Sequence, residues 1–309
     1  MVRHRSLAAA WGVVADRVLG EPPPPIPHPV AQFGRLVRAV EHAAYRPSRV
    51  RGAAFAAICT AVAVAAGAAA GRSDLATGGA TALSVAGHAL GDAADEVAMA
   101  LHRGDLAEAR RRLPSLVGRD PSHLDEDEIC RAAVESVAEN TVDAIVAPAV
   151  WGAVAGAPGT LGYRAVNTLD AMVGYRSERY ERFGWASARL DDVVNWVPAR
   201  LTALLVMAVR PRAATAIITA VRRDAKHHPS PNAGVAEAAF AGALGLRLGG
   251  ANTYGERVEV RATLGDGAPP AQADIARAVR LSNDVGLALA VVLAEPAAVA
   301  LLQAKRSRS

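Results

Sequence analysis

From Gly52 to Gly71 the chain reads GAAFAAICTAVAVAAGAAAG, without one charge. A helix over these positions is about long enough to cross the ~30 Å hydrocarbon core of a bilayer. Arg72-Ser73-Asp74 makes a polar turn, and Leu75 to Gly91 is a second uncharged run, LATGGATALSVAGHALG. Together the two runs read as a transmembrane hairpin, with Gly and Ala spaced for close helix contact in lipid. A buried helical hairpin of a soluble protein is the alternative, and the charge-free length favours the membrane. Arg46, Arg49 and Arg51 precede the first run and Arg110, Arg111 and Arg112 follow the second. That bias places both flanks on the cytoplasmic side.

The rest of the chain extends this pattern. It is 51% hydrophobic with a mean hydropathy of +0.17, and alanine carries most of the apolar character. The expected fold class is all-α: a polytopic integral membrane helical bundle with short extramembrane helices and loops, one domain over 1–309, multi-pass in the cytoplasmic membrane. Val2-Arg3-His4-Arg5 and the apolar positions to Ala15 resemble a leader but reach Asp16-Arg17 without a cleavage site, so a retained first helix is expected. Prolines from Pro22 to Pro29 force an extended loop after it. A polar cytoplasmic interval covers about 92–131, with two short surface helices around Pro114 and Pro121, and its run Asp125-Glu126-Asp127-Glu128 reads as a solvated face. Ala144 to Gly162 is uncharged but interrupted by Gly156-Ala157-Pro158-Gly159, so it is a straight span or a re-entrant pair of half-helices. Apolar runs follow at Val193–Val209, Ala213–Val221 and Ala233–Leu248. A polar loop covers about 252–270, with Val258-Glu259-Val260 as a short strand. The last element, Asp274–Leu302, is a long helix or a pair broken near Glu295-Pro296.

Composition removes several classes of function. The net charge is +4 and the pI about 9.4, but the arginines lie in short loops without a reader motif, so nucleic acid is not a partner. Cys59 and Cys130 are the only cysteines and have no metal-type spacing. There is no phosphate loop, no HExxH and no Ser/His/Asp or Cys/His set recognisable from spacing.

The polar residues that remain are concentrated. In Glu135-Ser136-Val137-Ala138-Glu139-Asn140-Thr141-Val142-Asp143, three carboxylates stand four apart and form one helix stripe. Arg189-Leu190-Asp191-Asp192-Val193-Val194-Asn195 is a second acidic cluster, with Asn195 on the face of Asp191. Such oxygen ligands suit Mg²⁺, which takes one or two carboxylates and leaves the rest to water and phosphate. Glu139, Asp143, Asp191 and Asp192 are therefore the expected metal ligands, with Asn140 and Asn195 orienting them. The bland reading of either cluster is an acidic turn complementing a helix dipole. Arg164, Asn167 and Asp170 repeat at three-residue spacing and can share a face. Arg164, Arg189, Arg200 and Lys226 are the candidate phosphate clamps. In Lys226-His227-His228-Pro229-Ser230-Pro231-Asn232, Ser230 is a good N-cap and the helix start after it offers free N–H groups to an anion. From spacing alone an ordinary cap is the simpler account. Glu237, inside an apolar helix, needs a partner or a proton.

These stretches have a familiar order. DRVLGEP and HPV near the start, ESVAENTVDAIVAP, YRAVNTLDAMVGY, FGWASARLDDVVNWVPARL, HHPSPNAGVAEAAFAGALGLRLGG, then NTYGERV and LGDG resemble the cobalamin-biosynthesis family of adenosylcobinamide-phosphate synthases, the CobD/CbiB family, over roughly residues 10 to 285. The resemblance implies a polytopic membrane ligase of the corrin pathway. It would join the propionate carboxylate of adenosylcobyric acid to (R)-1-amino-2-propanol or its O-phosphate, with ATP as co-substrate. The two acidic clusters and the cationic side chains above fit Mg²⁺ and phosphate in kind. Implied partners are the two substrates, the lipid bilayer and other corrinoid-pathway membrane enzymes. Two other classes fit parts of the pattern. A transporter of a small anionic metabolite would use broken helices, but no internal repeat supports it. A Mg²⁺-dependent prenyl transferase would use Asp-Asp-x-x-Asn, but no second such cluster is present.

Overall fold

A computed structural model describes residues 2–20, 28–71, 73–118, 120–175, 177–254 and 257–306. The proline-rich loop from Glu21 to Pro27, Arg72 of the polar turn and Gly255-Glu256 of NTYGERV lie outside the described residues. In chain order the elements are α1 (Val2–Leu19), α2 (Pro29–Ala44), α3 (Arg49–Ala69), α4 (Asp74–Ser84), α5 (Gly87–His102), α6 (Leu106–Arg112) and α7 (Glu126–Asn140). A π-helical segment (Thr141–Val146) leads into α8 (Ala147–Ala155), α9 (Ala157–Val173), α10 (Trp185–Val194), α11 (Trp196–Val209), α12 (Ala214–Asp224) and α13 (Ala233–Leu244). A hairpin of β1 (Leu248–Tyr254) and β2 (Arg257–Leu264) precedes α14 (Gln272–Arg306). The all-α class holds, with the hairpin as an addition. Two compact units result: residues 1–86, 147–195 and 289–309 form the first, 87–146 and 196–288 the second.

In the first unit α1 lies on α4 and α8, and α3 lies on α9. Small residues make these approaches possible. At Gly67 a Cβ would stand 2.6 Å from the Pro158 Cα, so only glycine lets α3 come this close to α9. A core of Val37, Phe55, Cys59, Leu169, Val173 and Phe183 fills the space between α2, α3 and α9. Beside it Glu41 is buried and accepts from Arg179 Nη2 at 2.8 Å, while the guanidinium stacks over Tyr45.

The expected transmembrane hairpin is corrected. α3, with 21 residues, is long and apolar enough to cross a membrane. The second run is not one helix. It divides at Val85-Ala86, where Val85 is extended, into α4 of 11 residues and α5, which belongs to the other unit. At ~1.5 Å per residue α4 reaches only about 16 Å. The physical reason is α5's own pattern. Leu90, Ala94, Val97 and Leu101 are buried while Asp92, Asp95 and Glu96 are not, an amphipathic stripe rather than a lipid-facing cylinder. Among the described residues α3 alone meets the spanning test, joined by α10 with α11 if that bent pair counts as one span. α10 carries three charges, Arg189, Asp191 and Asp192, which are costly in hydrocarbon.

The segment 144–162 turns back rather than running straight. α8 has nine residues, Gly156 takes φ +72°, and α9 returns against α8. Only glycine adopts that φ without strain.

In the second unit the polar interval holds more buried helix than its composition suggests. The acidic run at 125–128 is the start of α7. Asp125 accepts from the Glu128 N–H, and Glu128 accepts from the Asp125 N–H, a reciprocal cap. The polar stretch 252–270 contains most of the antiparallel β1–β2 pair, with Val258-Glu259-Val260 inside β2. Of the long helix and the broken pair, the structure has the long helix: α14 runs through Glu295-Pro296 to Arg306.

Asp224 fixes the end of α12 to the hairpin. It is buried, accepts from Arg223 Nε and Nη2 at 2.6 and 2.8 Å, and accepts from Gly265 N at 2.9 Å. Arg223 holds the carboxyl below the usual carboxylate range. A depressed folded-state pKa adds stability above the unfolded value of about 3.9, lost as pH falls through the lower folded value. Asp224→Asn should therefore lower the thermal midpoint at pH 7 and flatten its fall between pH 5 and 2. An unchanged acid limb in detergent-solubilised protein would show that Asp224 does not carry this linkage.

Candidate functional site

The expected site residues fall into three local groups, one in the first unit and two in the second. In the first unit, α9 presents Arg164 and Asn167, and α10 presents Asp191 and Asp192 with Asn195 just past its end. Tyr163 Oη donates to Asn195 Oδ1 at 2.9 Å, and Asn195 Nδ2 donates to Asp191 Oδ2 at 3.0 Å. Arg164 Nη1 donates to Asn167 Oδ1 at 3.4 Å. Trp151 Nε1 holds the Val194 carbonyl at 3.1 Å, so α8 and α9 together anchor the C-terminus of α10.

Asp191 is the unusual member of this group. Its Oδ1 is buried and has no hydrogen-bond partner. Burial pushes its carboxyl up to about 6; the Asn195 and Asn167 amides work against that rise and the neighbouring Asp192 adds to it. Asp192 is half-buried, and Arg189, mostly exposed, lies 3.5 Å from its Oδ2. The Asp170 carboxylate lies against Gly174 at the end of α9, where a Cβ would collide with it.

In the second unit the acidic stripe is divided. Glu135 is buried and structural: it accepts from Gly249 N at 2.8 Å and faces Arg131 at 3.9 Å. Glu139 is exposed and Asp143 half-buried. The π segment beginning at Thr141 changes the winding between them, so four-residue spacing no longer means one face. Asn140 Nδ2 donates to the Ser136 carbonyl at 2.9 Å.

A second cluster forms where α11 meets the start of α13. Arg200 Nη1 donates to Asn232 Oδ1 at 2.7 Å, and its guanidinium lies over the Trp196 ring, 4.6 Å from the centroid. Ser230 Oγ accepts from the N–H groups of Asn232 and Ala233 at 3.3 and 3.2 Å, but the N-cap is Asn232 and not the expected Ser230, because the helix starts only at Ala233. His228 Nδ1 lies 3.1 Å from Ser230 N, and its Nε2 lies 3.6 Å from Glu237 Oε1. Both side chains are almost fully buried, at 4% and 2% exposure. Lys226 stands exposed just before this turn.

Among the described residues, no three His, Cys, Asp or Glu side chains converge into a ready metal cage. Asp191 and Asp192 are the neighbouring carboxylates, near enough for the charge of Asp192 to act on Asp191. Such a pair suits a cation that keeps several waters and substrate oxygens. Spacing did not reveal Tyr163, Trp151 or Trp196. Each acts on a partner that sequence periodicity does not connect to it.

The profile of the CobD/Cbib protein family matches residues 9–282. The chain is 48% identical over 297 residues to the cobalamin biosynthesis protein CobD of Mycobacterium tuberculosis (strain ATCC 25618 / H37Rv), covering 93% of this chain and 94% of the relative. The protein of that name from Geobacter metallireducens is 45% identical over 278 residues, 84% of this chain and 86% of the relative. The one from Rhodobacter capsulatus is 54% identical over 186 residues, 60% of this chain and 59% of the relative. No solved structure matches the chain.

Proposed function

This chain belongs to the CobD/Cbib family, and we propose that it is the cobalamin-pathway ligase that amidates the propionate of adenosylcobyric acid with aminopropanol or its O-phosphate. The observation that carries the reading is the Asp191 group: a carboxylate with one enclosed, unpartnered oxygen, next to Asp192 and two residues from Arg189 on α10. A carboxylate does not react with an amine unaided. Attack of the propionate oxygen on the γ-phosphorus of ATP releases ADP and leaves an acyl phosphate. The neutral amine then attacks the acyl carbon, its proton passes to a base, and inorganic phosphate leaves with the amide formed.

Mg²⁺ supplies charge neutralisation on the transferring phosphate. Asp191 and Asp192 would hold it in the first unit, with Asn195 orienting Asp191. Glu139 and Asp143, with Asn140, are the corresponding candidates in the second. Arg164 and Arg189 suit phosphate oxygens. In the second unit Arg200, Lys226, Asn232 and Ser230, at the start of α13, suit an anionic substrate group. His228 and Glu237 stand behind that turn. The decisive assay is release of ADP and phosphate by purified protein that requires both cobyric acid and the amine, with the amide as product. ATP turnover that ignores either substrate, or transport without ligation, would overturn the reading.

The membrane location is part of the same proposal. α3 presents Ile58, Val62 and Val64 to its surroundings, 60%, 49% and 40% exposed, in a helix of spanning length. The protein should sediment with membranes and resist a carbonate wash. Substituting Ile58, Val62 and Val64 with Glu should release it or abolish its accumulation. Recovery of the unmodified chain in a detergent-free soluble fraction would remove the membrane from the account.

A further inference from the structure

We propose that Tyr163 is a positioning residue for Asp191: through Asn195 it keeps the carboxylate oriented so that Oδ1 is presented to a divalent cation. The inference rests on the cation role given to Asp191 above and adds a residue that motif spacing does not single out for it.

The argument begins with donors and acceptors. Asn195 Oδ1 only accepts, so the phenol of Tyr163 is the donor in the 2.9 Å contact. That bond fixes the Asn195 amide. Its oxygen faces Tyr163, so its Nδ2 faces Asp191 Oδ2 at 3.0 Å. Rotating the amide would turn a carbonyl oxygen against a carboxylate and place an N–H₂ against a hydroxyl donor. Asn167 is set in the same way from the other side: its Oδ1 takes the Arg164 guanidinium, which leaves its N–H₂ to favour the charged form of Asp191. Tyr163 and Asn195 are both buried, at 3% and 1% exposure, so water does not stand in for either.

What remains is Asp191 Oδ1, buried and without a partner. Folded proteins rarely leave such an oxygen unsatisfied, because the desolvation it suffers is not returned. Two amides, one set by a phenol and one by a guanidinium, donate toward the carboxylate and fix its orientation. A hard cation completes that arrangement. Partners one bond removed from a metal ligand orient it and tune its affinity.

The test is Mn²⁺ binding, read as loss of the free-ion EPR signal on detergent-purified full-length protein without nucleotide. Tyr163→Phe keeps the ring and removes the donor. It should weaken Mn²⁺ binding by up to about 10-fold, the low end of the effect of losing a ligand's own partner, because Tyr163 stands one bond beyond Asn195. Trp151→Phe is the structural control. It removes the bond to the Val194 carbonyl at the same helix end without entering the Tyr163–Asn195–Asp191 chain. It should lower the thermal midpoint about as much as Tyr163→Phe and leave Mn²⁺ affinity near wild type. Asp191→Asn should remove the site. Loss in Asp191→Asn with unchanged affinity in Tyr163→Phe overturns the positioning role alone. Equal weakening by Tyr163→Phe and Trp151→Phe also overturns it, since the effect is then general loosening of α10. Unchanged affinity in Asp191→Asn overturns the cation reading itself, and the inference with it.

Discussion

Asp191→Asn should reduce amide formation at least ~100-fold, the scale on which a group fixing charge in a transition state acts, while the protein accumulates normally and melts at the same temperature or higher. The two effects separate because of where Asp191 sits. The residue is half-buried, but its Oδ1 is enclosed and unpartnered, a costly state for a charge, and burial pushes the carboxyl up to about 6. Asparagine keeps the shape, still accepts from Asn195 and carries no charge into the interior. A carboxylate kept for packing would not be retained at that cost, so stability and turnover should move in opposite directions. Glu126→Gln is the matched control. Glu126 lies exposed in the first turn of α7, where loss of one charge costs a few tenths of a kcal/mol of dipole interaction at most. Turnover within a few-fold of wild type in Asp191→Asn at limiting Mg²⁺ would make the acidic cluster a helix-end feature. The site would then be sought around Arg200 and Asn232.

Much of this arrangement was legible before any coordinates. The glycines and proline at 156–159 announced a turn, and Gly156 makes it. Ser230 reads as the N-cap, but Asn232 holds that position, and Ser230 Oγ instead braces the turn before it by accepting from Asn232 N and Ala233 N. The four-residue step from Asp191 to Asn195 placed carboxylate and amide on one face, and they bond there. The failures have a common physical source. In an alanine-rich chain an uncharged run marks burial without saying against what. Leu75 to Gly91 therefore looked like a bilayer span although it divides between two units. Glu135 looked like part of a stripe because spacing is computed on an ideal helix. The hydrogen bond from Gly249, far along the chain, turns it to a structural use, and the π segment shifts Asp143. Tyr163 reads as an apolar aromatic in a run of small residues. Its role depends on a partner 32 positions away, a separation to which no helical period responds.

The second large effect is expected at Glu237. Every position from Ala233 to Ala241 is buried, so Glu237 has no face on which to meet water. Its Oε1 lies 3.6 Å from His228 Nε2, and the turn between them admits no larger residue at Gly234, where a Cβ would stand 2.4 Å from His228 Cβ. Removing Glu237 takes a polar neighbour from the buried His228 ring, at about 1–3 kcal/mol, and leaves a cavity in a packed helix. Glu237→Ala should therefore lower the thermal midpoint by many degrees or prevent accumulation. His228→Leu with Glu237→Leu removes both polar groups while keeping their volume, and such exchanges are often neutral. Here recovery should fall short by about 1 kcal/mol, because Ser230 N loses the His228 ring as acceptor. The comparison also separates structure from chemistry. If the pair serves only to fix the start of α13, the recovered double variant should regain turnover. A double variant that is stable but inactive places His228 or Glu237 in contact with substrate. A double variant as unstable as Glu237→Ala would mean that the two groups do not act as a pair, and that Glu237 is held by partners other than His228.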